Sequence, residues 1–210
     1  MSLVKICGLS TPETLDCALD AGADFVGFVF FPKSPRNVLV RQATGLAARV
    51  ENRARTVALV VDADDRLLGE IAETVKPDLF QLHGAETPER LTRVKSVTGI
   101  PAYKALRVRT TADVAKAAGF AASPFILYDA MPPQDAVLPG GNGLTFDWTI
   151  LEQAARPFML AGGLTPDNVA EAIRVTGAAM LDVSSGVESS PGIKDEARIR
   201  KFIEAVKTAG

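Results

Sequence analysis

Lys5-Ile6-Cys7, Gln81-Leu82-His83, Asp129 and Asp182 are the residues whose types and spacing suit proton transfer. Each lies at the end of a short apolar run, and side chains two apart in a strand share a face. Lys5 and Cys7 thus point one way while Val4 and Ile6 point the other, and Gln81 and His83 lie opposite Phe80 and Leu82. Asp129 shares a face with Leu127, and Asp182 with Met180. With the apolar partners packed on helices, an amine, a thiol, an imidazole and two carboxylates converge from four strands, the usual set for general acid–base work. Plainer roles stand beside this one. Cys7 also fits as a small buried hydrophobe, the role expected of Cys17. Lys5 and Asp182 also fit as an ion pair, His83 as a hydrogen-bonded structural residue, and Asp129 as the start of a Pro-rich turn.

A second group of residues suits anions. Gly162-Gly163-Leu164-Thr165-Pro166 follows one apolar run, and Ser184-Ser185-Gly186-Val187-Glu188 follows the next. Glycine lets backbone N–H groups approach a phosphate closely, although a Gly-Gly pair alone is also an ordinary turn. Gly140-Gly141-Asn142-Gly143 adds a donor-rich stretch to the long loop 130–145. Pro32-Lys33-Ser34-Pro35-Arg36 is a stiff loop that either aims the Arg36 fork at a carboxylate or lies solvated on the surface.

Eight short runs rich in Val, Ile, Leu and Phe must position these groups: 3–7, 24–30, 56–61, 78–83, 102–106, 124–129, 157–161 and 179–183. Helical spacing separates them, as in Leu68, Ile71, Ala72 and Val75, and in Ile199, Phe202, Ile203 and Val206. Thr11-Pro12-Glu13, Thr87-Pro88-Glu89 and Thr165-Pro166-Asp167 read as helix starts, and Gly22, Gly99, Gly119 and Gly177 as helix ends. Strand–helix alternation repeated about eight times predicts one (β/α)8 barrel over residues 1–210, with active groups at the strand C-termini. The alternative, a doubly wound open sheet, is weakened because no G-x-G-x-x-G follows the first run.

Composition narrows the function. With 47% apolar residues, 23 Lys plus Arg and 25 Asp plus Glu, the net charge is -2, which gives no electrostatic pull toward nucleic acid or an anionic membrane. The longest apolar run, 25–31, is too short to span a bilayer, and the start shows no secretory pattern. Two cysteines without paired spacing and a single histidine argue against a disulfide framework and a metal site, and point to the cytoplasm.

Together these segments resemble the phosphoribosylanthranilate isomerase family. The resemblance runs through Val4-Lys5-Ile6-Cys7-Gly8, Gly27-Phe28-Val29-Phe30 with Lys33-Ser34-Pro35-Arg36, and Gln81-Leu82-His83-Gly84. It continues through Asp129, Gly140 to Gly143 with Phe146-Asp147-Trp148, Ala161-Gly162-Gly163-Leu164, and Asp182 to Glu188. It implies a ribulose-phosphate-binding type of TIM barrel and an Amadori rearrangement of N-(5-phosphoribosyl)anthranilate in tryptophan biosynthesis, without metal or cofactor. It also implies Cys7 as general base and Asp129 as general acid, with Arg36 on the anthranilate carboxylate. Gly162, Gly163, Ser185 and Gly186 would take the phosphate, and Lys5, His83, Asp182 and Gly141 complete the substrate contacts. The partner is then a small phosphosugar-anthranilate, and the chain a monomer or weak homodimer. The chemistry leads us to expect that Lys5 favours the Cys7 thiolate and that burial or substrate raises Asp129. Another phosphate-binding barrel enzyme, such as a sugar-phosphate isomerase, is the nearest rival, and a non-catalytic phosphosugar-binding protein is a rival of another class.

Overall fold

The computed structural model describes residues 2–131, 143, 145–155 and 157–209. Eight parallel strands close into a barrel: β1 (Leu3–Cys7), β2 (Phe25–Phe30), β3 (Arg55–Val60), β4 (Leu79–Leu82), β5 (Ala102–Val108), β6 (Ile126–Ala130), β7 (Phe158–Leu160) and β8 (Met180–Val183). They follow one another around the barrel, and β8 pairs with β1. The helices α1 (Pro12–Ala21), α2 (Val40–Val50), α3 (Asp65–Thr74), α4 (Pro88–Thr98), α5 (Thr111–Ala115), α6 (Val169–Thr176) and α7 (Glu196–Ala209) surround it. A short hairpin, β9 (Glu188–Ser190) and β10 (Ile193–Lys194), stands between β8 and α7. Among the described residues, no helix is long and apolar enough to cross a membrane.

The two faces of each strand divide the apolar residues into two cores. Val4, Ile6, Phe80, Leu82, Leu181 and Val183 pack outward against the helices. Phe25, Val57, Leu79, Tyr103, Leu127, Met159 and Met180 fill the barrel interior. Lys5, Gln81, Asp129 and Asp182 continue that inner face toward the strand C-termini, as the alternation predicts. Thr11 and Thr87 accept from Thr14 N and Arg90 N and so begin α1 and α4, each with Pro in the first turn. Gly22, Gly99 and Gly177 end α1, α4 and α6 in the left-handed conformation.

Two expectations fail locally. Gly119 does not end a helix; it lies inside a 3-10 turn, Lys116–Phe120, which follows the short α5. Thr165-Pro166-Asp167 does not begin one either, because α6 starts at Val169. Asn168 competes for the same backbone: its Oδ1 accepts from Thr165 N at 2.8 Å, and its Nδ2 donates to Gly163 O at 3.0 Å. The loop after β7 is therefore tied shut before the helix begins.

The loop after β4 carries His83 and is fixed by a buried charge pair. Lys104 Nζ lies 2.7 Å from Glu86 Oε2 and also donates to Gly84 O at 2.8 Å. Glu86 in turn accepts from Asp62 N and Gly84 N, so both carboxylate oxygens are satisfied. Lys104→Met strands a buried carboxylate, and the expected cost is about 3–5 kcal/mol. Urea titration of the variant against wild type measures it.

Candidate active site

The pairing register sets the site. Lys5 on β1 sits opposite Asp182 on β8, and its Nζ lies 2.9 Å from Asp182 Oδ1 and 2.8 Å from Gln81 Oε1. Cys7 lies two residues above, buried, on the same face. Burial pushes the Cys7 thiol above its ordinary value; Lys5 pulls the other way, and so does Lys194, but burial prevails. Lys5 thus acts in the expected direction without producing the expected thiolate, because burial outweighs it and Asp182 adds to the effect of burial.

Asp129 stands at the end of β6, with Oδ2 3.1 Å from His83 Nε2. His83 Nδ1 meets Gln81 Nε2 at 2.8 Å, and Gln81 Oε1 also accepts from Tyr103 Oη at 2.7 Å. A continuous chain of hydrogen bonds therefore joins the lysine beneath Cys7 to the carboxyl of Asp129.

One cavity of about 670 Å³, counting its solvent-open part, receives Cys7 and Asp129 together with Arg36, His83, Asp182, Gly162, Gly163, Ser185 and Gly186. That is within the size range of small-molecule sites. Lys5 is not among its lining residues: it is fully buried and spent on Asp182 and Gln81. A direct substrate contact for Lys5 is thereby corrected to a place below the site. Gly141, with Gly140 and Asn142, lies outside the described residues.

Toward β7 and β8 the wall is backbone. Gly162 has φ +90, and a Cβ there would stand 2.5 Å from Ala130 N and 2.9 Å from Asp129 Oδ1. A Cβ on Gly186 would lie 1.8 Å from Leu164 O. Only glycine lets these two loops pack this closely, which leaves a pocket edged by main chain and suited to an anion. Toward β2 and β3 the wall is apolar, formed by Val29, Phe31, Leu59 and Val61 beside Arg36. Arg36 is buried rather than solvated, with Nε and Nη2 on the two oxygens of Glu188 at 2.7 and 2.9 Å. Burial works against the charge of Glu188, but Arg36 and Lys194 hold its carboxyl below the ordinary range. Lys194 Nζ, 2.7 Å from Glu188, also donates to Ser184 O, and Ser184 Oγ donates to Cys7 O.

Sequence reasoning did not foresee the Glu188–Lys194 pair or the phenol of Tyr103. The turn dipeptide Pro191-Gly192 was the available signal for the hairpin that brings Lys194 back to Glu188. Among the described residues, no group of three or more His, Cys, Asp or Glu is placed to hold a metal ion.

The family model described as N-(5'phosphoribosyl)anthranilate (PRA) isomerase matches residues 4–205. The N-(5'-phosphoribosyl)anthranilate isomerase of Bradyrhizobium sp. (strain ORS 278) is 56% identical over 210 residues, covering 99% of this chain and 96% of that protein. The crystal structure of the enzyme from Thermotoga maritima superposes with a TM-score of 0.90 at 34% identity, over 99% of this chain and 100% of that one. A second solved phosphoribosylanthranilate isomerase, in complex with reduced 1-(o-carboxyphenylamino)-1-deoxyribulose 5-phosphate, has a TM-score of 0.86 at 32% identity, over 99% of this chain and 100% of that one. The barrel, the full-length family match and these relatives place the chain in the phosphoribosylanthranilate isomerase family, the isomerases of tryptophan biosynthesis.

Proposed function

We propose that this chain rearranges N-(5-phosphoribosyl)anthranilate with Asp129 as general acid and Cys7 as general base. The carrying observation is that both open onto one cavity, between the glycine loops after β7 and β8 and the apolar wall beside Arg36. Those two ends suit a phosphate and an anthranilate ring, and the complex of the relative holds a ligand with both groups.

The proton on Asp129 passes to the furanose ring oxygen, the C1′–O bond breaks, and the substrate nitrogen takes up the charge as an iminium. Cys7 then removes the C2′ proton, and the C–H electron pair moves to form the enolamine. Protonation at C1′ with release of the C2′ hydroxyl proton gives the ketone. The substrate's own nitrogen serves as electron sink throughout. The raised thiol has a consequence here. Burial keeps Cys7 protonated at rest, while the iminium formed in the first step places a cation beside it and favours loss of the thiol proton to solvent through the open cavity, which leaves the thiolate when it is needed. Lys5 supports that ionisation from below without touching substrate. Arg36 would meet the anthranilate carboxylate, Gly162, Gly163, Ser185 and Gly186 the phosphate, and His83 and Asp182 the sugar side. Two buried free thiols, one of them reactive in this scheme, suit a reducing cytoplasm.

Cys7→Ser and Asp129→Asn should each lower turnover at least ~10²-fold in an assay following loss of substrate fluorescence. The base must lose its proton to act, so kcat/KM should climb with pH through the raised Cys7 titration. Lys5→Met removes the opposing cation and should move that rise to higher pH; an unchanged profile separates Lys5 from the thiol. Arg36→Met should raise KM, and a KM equal to wild type would remove Arg36 from the substrate's carboxylate end.

A further inference from the structure

The groups around Gln81 admit one arrangement of hydrogens. Lys5 Nζ, 2.8 Å away, can only donate, so the amide atom facing it is the oxygen. Burial works against the charge on Lys5, yet Asp182 at 2.9 Å holds the ammonium above its ordinary value. The same amide oxygen takes the phenol proton of Tyr103 at 2.7 Å. The other end of the amide is then the NH2 group, which also can only donate, and it faces His83 Nδ1 at 2.8 Å. Nδ1 must therefore offer its lone pair. The ring proton lies on Nε2, 3.1 Å from Asp129 Oδ2. A doubly protonated ring would set N–H against N–H.

We infer that Gln81 is a positioning residue that, pinned by Lys5 and Tyr103, fixes His83 as the neutral Nε2–H tautomer and so dictates which oxygen of Asp129 carries the transferable proton. His83 occupies Oδ2 as a donor. With Asp129 as the acid, its proton then belongs on Oδ1, the oxygen beside Gly162, where an added Cβ would come within 2.9 Å; Asp129 and Gly162 both line the cavity. The consequence for catalysis rests on the reading of Asp129 as the acid. A neutral donor steadies the carboxylate left after proton transfer, whereas an imidazolium would favour the ionised form from the start. The tautomer itself does not depend on that reading.

The chain has one histidine, so histidine labelled with 15N in the ring gives a single pair of ring-nitrogen signals in a long-range proton–nitrogen correlation spectrum. In the folded wild type at neutral pH, Nε2 should be protonated and Nδ1 unprotonated. Tyr103→Phe leaves Lys5 in place and should keep that pattern. Gln81→Glu puts a carboxylate oxygen opposite Nδ1 and should bring a proton onto it, with kcat falling at least tenfold and KM changing less than threefold. A protonated Nδ1 in wild type overturns the inference, whether or not any variant folds. So does a folded Gln81→Glu protein with Nδ1 still bare and kcat intact. Absence of turnover in wild type would instead overturn the isomerase mechanism and leave the tautomer result standing.

Discussion

A buried ammonium inside the barrel is the constraint around which the rest is arranged. Lys5 has no exposed surface, and removing its charge from water costs several kcal/mol before any partner is counted. Asp182 and the oxygen of Gln81 offset that cost, and each must come from a particular strand at a particular height. The Lys5–Asp182 contact lies across the β1–β8 seam, so satisfying the charge and closing the barrel are one condition. The same ammonium sits two residues below Cys7 and fixes the direction of the Gln81 amide. Barrel closure, the surroundings of the thiol and the direction of the Gln81 amide therefore share a single buried cation.

The pairing also explains why the thiol at rest is not a thiolate. The Lys5 ammonium favours the thiolate, but the carboxylate that matches it at 2.9 Å, Asp182, itself opposes ionisation of Cys7. With burial added, the protonated form wins. In this enzyme class that is compatible with turnover, because the first half of the reaction generates a cation on the substrate. Under the mechanism we propose, the base is called on only after the acid has acted, which imposes an order on the two proton transfers without a moving part.

Much of the architecture was legible in the residues. Each of the eight apolar runs overlaps a barrel strand, and the inward and outward faces of β1, β4, β6 and β8 follow from period-two alternation alone. The convergence of Cys7, His83, Asp129 and Asp182 followed from those faces once a closed barrel was assumed. What escaped depends on contacts between residues distant in the chain. The substrate contact of Lys5 was implied by the resemblance alone; the register with Asp182 places its ammonium, fully buried, beneath the cavity lining. Thr165-Pro166-Asp167 carries an adequate capping signal, but Asn168 offers the backbone a tighter local alternative. Arg36 could not be told from a surface arginine, since the carboxylate that buries it lies 152 positions away.

If Arg36 meets the substrate's carboxylate, as we propose, a fork already engaged by Glu188 must attract a second carboxylate. Glu188 holds Nε and Nη2 in one plane, so the guanidinium is oriented before any ligand arrives and little side-chain entropy remains to be lost. Its negative charge would repel an incoming anion if it stood alone against Arg36. It does not, because Lys194 Nζ shares Oε1 at 2.7 Å. Burial pulls Lys194 down in pKa, yet Glu188 works to keep its proton in place. Two cations around one carboxylate leave the cluster net positive while the fork stays rigid. The hairpin carrying Lys194 is thus what allows Glu188 to orient Arg36 without neutralising it, and in the proposed binding mode the anionic end of the substrate is drawn toward Arg36 without displacing Glu188.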